Sequence, residues 1–247
     1  MPRAQDTSRA RRNHLVLPRL TLSTVALVAA NLVPLAGVFF LKWDAATIVL
    51  LYWTENLVIG GYNILKMALA KAEHPLTHLG KLFYIPFFCV HYGGFCAVHG
   101  FFLLTFFHLG DGFAFPGGEN AWPCHLVFVQ LLISVVMQLW KNHPPGMEWP
   151  VLFLVISHGV SFVQNYLRGG EYARLTPDKL MGKPYTRIVL IHIAIIAGAM
   201  PVMALGSPVP LLVILIVLKI GMDLWLHARS HRTSADKSAD EAPGGRA

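Results

Sequence analysis

The sequence predicts an all-α protein, a polytopic transmembrane helical bundle of six or seven spans. Three observations carry that expectation. Apolar runs of about 20 residues recur along the chain, each long enough to cross a bilayer as a helix. Of the 247 residues, 55% are hydrophobic and only 13% are charged, where a soluble domain averages about 25% charged. The alternating short segments of a closed barrel are absent. The net charge of +7 gathers at the ends and in a few loops. It therefore reports topology and gives no reason to expect a nucleic-acid partner. The cysteines Cys89, Cys96 and Cys124 are odd in number. Cys89 and Cys96 stand about 10 Å apart along one helix, beyond the reach of a disulfide, so no disulfide framework is indicated.

Residues 1–19 read as a basic cytoplasmic tail, with Arg3, Arg9, Arg11, Arg12 and Arg19. Residues 20–229 form the transmembrane helical domain, and residues 230–247 read as a disordered C-terminal tail. The first span runs from Leu20 to Leu41. A signal peptide would require cleavage near Val28-Ala29-Ala30, but the apolar run continues past that point, beyond the usual h-region of about 7–15 residues. The second span, Ala45 to Ala70, carries Glu55, Asn56, Asn63 and Lys66. Helical spacing puts Asn56 and Asn63 on one face, and Glu55 and Lys66 on another. Lys66 is near the end and can snorkel; Glu55 is close to mid-span and cannot.

The third span lies in the apolar run from Leu82 to Phe107 and contains the stretch FCVHYGGFCAVHGFF, residues 88–102. His91 and His99 sit inside it, roughly 80° apart at about 100° per residue, with Phe95 and Phe102 on the same side. Cys89, Gly93, Cys96 and Gly100 form the opposite stripe, where small residues allow another helix to approach closely. A Gly- and Pro-rich loop follows, His108 to Pro123, with Asp111 and Glu119 and no Lys or Arg. Cys124 to Trp140 is apolar but short, a short span or a re-entrant element. Trp149 to Leu167 is a span with Ser157, His158, Ser161 and Asn165. The basic loop Arg168 to Arg187 leads to the span Ile188 to Leu205, which carries His192. A turn at Gly206-Ser207-Pro208 opens the last span, Val209 to about His227, which ends in Asp223, His227 and His231 at four-residue spacing.

Seven strictly alternating spans with the N-terminus inside would put the Arg168–Arg187 loop and the basic C-terminus outside, against the positive-inside tendency. Six spans, with Cys124–Trp140 not fully crossing, put every basic loop inside, and that reading is preferred. It also gathers Asn63, Lys66, His91, Asn165, His192, Asp223 and His227 in the cytoplasmic half, with Glu55, His99 and His158 near mid-depth.

Ionisable groups at membrane depth are costly and suggest function. His91, His99, His158, His192 and His227 are candidate metal ligands, and imidazole suits zinc, iron or copper. Glu55 and Asp223 are candidate catalytic groups, as ligand, general base or orienting carboxylate. Asn56, Asn63, Lys66 and Asn165 are further polar site residues. Competing structural readings exist for each. A buried histidine usually bonds a neighbouring helix, Glu55 could pair Lys66 or a histidine, and Ser157 and Ser161 suit interhelical hydrogen bonds worth about 1 kcal/mol or less.

The runs YWTENLVIGGYNILKM (52–67), HYGGFCAVHG (91–100), SHGVSFVQNY (157–166) and KIGMDLWLHARSH (219–231) together resemble a family of bacterial multi-pass membrane proteins of unknown function, and the expected location is the bacterial inner membrane. That resemblance covers about residues 20 to 231 and implies no activity. Asp223-x-x-x-His227-x-x-x-His231 also resembles the closing motif of the intramembrane zinc hydrolases that include alkaline ceramidases and progestin/adipoQ receptors, where the two histidines bind zinc. The Ser-x-x-x-His motif of that superfamily is missing, since no serine stands four residues before His91, His99 or His158. The foremost expectation is a metal-dependent membrane enzyme, a hydrolase acting on a lipid-like substrate. A proton- or metal-ion transporter, a haem-binding electron carrier using histidines such as His91 and His158, and an assembly factor remain open, as does the oligomeric state.

Overall fold

A computed structural model describes residues 38–40, 43–71, 75–222 and 224. The chain forms two compact units. Asn31–Lys219 carries the bundle; of Met1–Ala30 with Ile220–Ala247, only the helical residues 220–222 and 224 are described. The two predicted tails, most of the first predicted span, and Asp223, His227 and His231 lie outside the described residues.

Among the described residues the regular structure is entirely helical. Helix α1 is Ala45–Leu69, and the Asp44 carboxylate caps it by accepting from the Ala46 and Thr47 amides at 3.3 and 2.8 Å. Helix α2 is Pro75–Phe106, with Pro86 in its interior. Helix α3 is Leu126–Asn142. Helix α4 is Glu148–Ser161 and continues as a π-helical segment, Phe162–Arg168. Two short helices follow, α5 at Glu171–Arg174 and α6 at Pro177–Gly182. Helix α7 is Tyr185–Leu205, closed by Gly206 in the left-handed region at φ 59°. Helix α8 is Val209–Met222.

Four of these stretches are long and apolar enough to cross a membrane: Ala45–Leu69, His78–Phe106, Glu148–Arg168 and Pro177–Leu205. The shorter α3, at 17 residues, does not reach that standard.

The cross-helix hydrogen bonds fix the directions. Helix α2 runs antiparallel to α1: Trp53 Nε1 donates to the Cys96 carbonyl at 2.9 Å, and Lys81 Nζ donates to the Ala70 carbonyl at 2.6 Å. Helix α4 runs parallel to α1, with Tyr62 donating to the Val155 carbonyl and Tyr166 to the Lys66 carbonyl. Helix α7 runs parallel to α2, pairing Tyr185 with His91 and His192 with His99.

Helix α3 follows α2 in sequence and yet lies parallel to it. Phe128 packs beside Gly94, Val135 beside Gly100, and Gln138 Nε2 donates to the Leu109 carbonyl at 3.2 Å. The chain between them doubles back along α2, and Phe113 and Phe115 pack on the Phe101 ring at 5.7 and 4.7 Å between centroids. A hairpin span would have run the other way. The short α3 therefore finishes at the same end of the bundle as α2. The segments after α1 and after α4 then meet at one end of the bundle, where the Lys71 amide donates to the Tyr172 carbonyl at 2.7 Å.

The small-residue stripe of α2 is a packing seam, as its spacing predicts. A Cβ at Gly100 would lie 2.5 Å from the Trp53 ring and 2.7 Å from Val135 Cγ1. Cys96 is fully buried there. Three helices meet at this seam, which leaves the imidazole side of α2 to face α7.

Candidate functional site

Two polar assemblies stand among the spans. The first is a ladder between the parallel helices α2 and α7. His91 Nδ1 and the Tyr185 hydroxyl share a hydrogen bond of 2.8 Å. Two turns further on, His99 Nε2 and His192 Nδ1 share another of 2.8 Å. The rungs fall into register because α2 contributes residues eight apart and α7 residues seven apart, each close to two helical turns. Phe95 fills the space between them, its ring 5.1 Å from His91 and 6.2 Å from His192.

This ladder borders a cavity of about 880 Å³. One wall is the face of α2 from Leu82 to His99, another is Pro123 to Phe128 at the start of α3, and His192 closes it from α7. Leu82 and Phe83 are 74% and 63% exposed, so the cavity opens on the apolar side of the bundle. His99 is only 1% exposed, and its Nδ1 has no partner. Burying an unpaired polar nitrogen costs about 1–3 kcal/mol; His192, which pairs with His99, is exposed and is the imidazole of this rung that a ligand can reach.

The second assembly joins α1, α4 and α7. The Glu55 carboxylate takes Arg187 Nη2 on Oε2 at 2.5 Å, and His158 Nε2 lies 3.6 Å from Oε1. Glu55 is close to mid-span, where a bare carboxylate is costly, and Arg187 supplies the counter-charge. Sequence reading missed Arg187 because it stands at the border of a basic loop. Lys66, which shares the Glu55 face, is 11 residues away along α1, about 16 Å at the helical rise, so it cannot be the partner. It lies instead over the Tyr166 ring at 5.5 Å. Tyr185 was also missed, although its seven-residue spacing to His192 was there to be read.

Of the predicted asparagines, only Asn63 bridges two helices. Asn63 Nδ2 donates to the Leu180 carbonyl at 3.0 Å, tying α1 to α6. Asn56 donates to the Tyr52 carbonyl on its own helix, and its Oδ1 has no partner. Asn165 donates to Ser161 Oγ at 3.1 Å. These residues do not join the histidines.

One convergent metal centre is not what the described residues assemble. Among them, no group of three or more His, Cys, Asp and Glu side chains is placed to hold a metal ion. His91 goes to Tyr185, His99 to His192 and His158 to Glu55, because α2 and α4 lie on different sides of α1 and α7. His91 and His158 therefore do not face each other across a shared site. His227 and Asp223 lie outside the described residues. The structure offers an imidazole pair on an apolar cavity, able to hydrogen-bond a head group or move a proton.

No curated protein and no solved structure matches the chain. The runs that carry Glu55, His91, His99, His158 and Asn165 all fall inside one matched region, residues 17–240, and by that match the chain belongs to a family of unknown function (DUF6498).

Proposed function

We propose that the chain is a six-span protein of the bacterial inner membrane that holds a lipid-like substrate in the α2 groove and moves a proton at its head group. One observation carries this reading: a hydrogen-bonded imidazole pair, His99 and His192, on the wall of a large apolar cavity within the spans. Ligand cavities of about 300–1,000 Å³ with few polar groups are the usual form of a small-molecule site. Two imidazoles that share one proton suit general acid–base work. By themselves they fall short of the roughly three protein ligands of a catalytic metal. Glu55, Arg187 and His158 join α1, α4 and α7, and of these helices α7 reaches the groove through His192.

A second reading has its own support. The two rungs of the ladder are about 12 Å apart along α2, which suits a proton path better than a single reaction centre. The two readings part on lipid chemistry. Lipids extracted from membranes of a deletion strain are compared by mass spectrometry with those of strains carrying the wild type or His192→Phe. An enzyme predicts the same altered species in the deletion and in His192→Phe. Identical profiles in all three strains contradict an enzyme.

A further inference from the structure

The groove is selective beyond being apolar. The α2 wall from Leu82 to His99 is about 25 Å long at the helical rise, close to the hydrocarbon thickness of about 30 Å. That length suits one extended chain. No Lys, Arg, Asp or Glu lines the cavity among the described residues. A phosphate or carboxylate head would find no cation there among the described residues, at a depth where an unpaired charge is costly. The polar groups on offer are imidazoles: the ladder's own, and His125 across the cavity.

We propose, building on the groove as a substrate site, that its occupant is an uncharged single-chain lipid whose hydroxyl or carbonyl head is held by the His99–His192 pair. The pair's chemistry fits such a head. In the neutral pair one proton lies between His99 Nε2 and His192 Nδ1. If His99 donates it, His192 Nε2 carries the other hydrogen and His99 Nδ1 is an acceptor. If His192 donates it, the roles reverse. The two outer nitrogens always differ, one donor and one acceptor. A hydroxyl, which both donates and accepts, is satisfied by either arrangement. A carbonyl is satisfied by the arrangement that leaves His192 Nε2 protonated. His192 is exposed where His99 is buried, so the outer nitrogen within reach of a head group is that of His192.

The test uses the full chain in nanodiscs, photolabelled with a diazirine-bearing octadecanol, with oleyl alcohol or oleyl phosphate as competitor. Adducts are expected on residues 82–99 and 123–128. Oleyl alcohol should displace the label at a concentration at least about tenfold lower than oleyl phosphate, the discrimination expected of a hydrogen-bonded neutral head. Val98→Trp, which fills the groove from an exposed wall position, should abolish labelling. His192→Phe should keep labelling and need about fivefold more oleyl alcohol for displacement while oleyl phosphate competes as before, which narrows the preference. Equal displacement by both competitors, or an unchanged preference in His192→Phe, overturns the neutral-head proposal and leaves the groove standing. Labelling elsewhere, or undiminished in Val98→Trp, overturns the groove itself.

Discussion

Arg187 is the residue on which Glu55 depends. Replacing Arg187 with Met leaves a mid-span carboxylate facing only His158, 3.6 Å away. Breaking a fully buried pair costs about 3–5 kcal/mol. The Arg187 side chain is 33% exposed, so a loss of about 2 kcal/mol in detergent unfolding is expected, after discounting for that exposure. The double variant Glu55→Gln/Arg187→Met should recover most of it, because it removes the stranded charge. A single variant as stable as the wild type would contradict the pairing. His143 makes a different contact, at the corner between α3 and α4. Its Nε2 meets Glu148 Oε1 at 2.7 Å, and its Nδ1 bonds the Trp140 carbonyl at 2.7 Å. The Glu148 contact first, and the Trp140 carbonyl second, raise its pKa above the usual histidine value. A raised folded-state pKa gives a contribution fully present below the unfolded value of about 6.5 and lost as pH climbs through the folded value. Amide exchange at residues 143–148, compared between wild type and His143→Ala, should differ at about pH 6 and converge by about pH 9. A difference that grows with pH would reverse the assignment.

At the scale of elements, helix α2 organises the bundle through its two sides. The seam side carries Gly100, Cys96 and Gly93 against α1 and α3. Gly100→Val should cost about 1–3 kcal/mol by overpacking against Trp53 and Val135, read as a lower unfolding midpoint with the helix content kept. Unchanged stability would mean that the seam is looser than the described geometry. Both sides of α2 were legible in the sequence, since a period of 3.6 sorts Gly100 from His99 with no knowledge of the partner helix. The partners were not legible. Tyr185 and Arg187 lie near the start of α7, where a basic loop and a helix look alike in composition, and their contacts span about a hundred residues of sequence. Those long-range pairings also explain why five histidines read as one centre. What His91, His99, His158 and His192 each meet depends on how the helices are arranged, and His227 lies outside the described residues. The direction of α3 was half legible. Its short length suggested an element that does not cross, but only the contacts of Phe128 and Val135 with α2 show that it runs parallel to that helix.

Across the whole molecule, the parallel pair α2–α3 brings the basic segments after α1 and after α4 to the same end of the bundle. That is the arrangement the proposed six spans require, and under the positive-inside tendency that end would be cytoplasmic. A reporter fused after Gly169 should be cytoplasmic, and one fused after Gly118, in the acidic loop, should be periplasmic. Both on one side of the membrane would break the proposed topology. The same doubling-back sets the start of α3 against the imidazole side of α2, so that segment also walls the cavity. Fold and candidate site are in this sense one feature. The most direct test of the central claim is the lipid that stays with the protein through purification in mild detergent, identified by mass spectrometry beside Val98→Trp. The wild type should retain a species enriched well above its share of the bulk membrane, and Val98→Trp should lack it. Bulk phospholipid alone on both, in the same proportions, would mean that the groove holds nothing in particular.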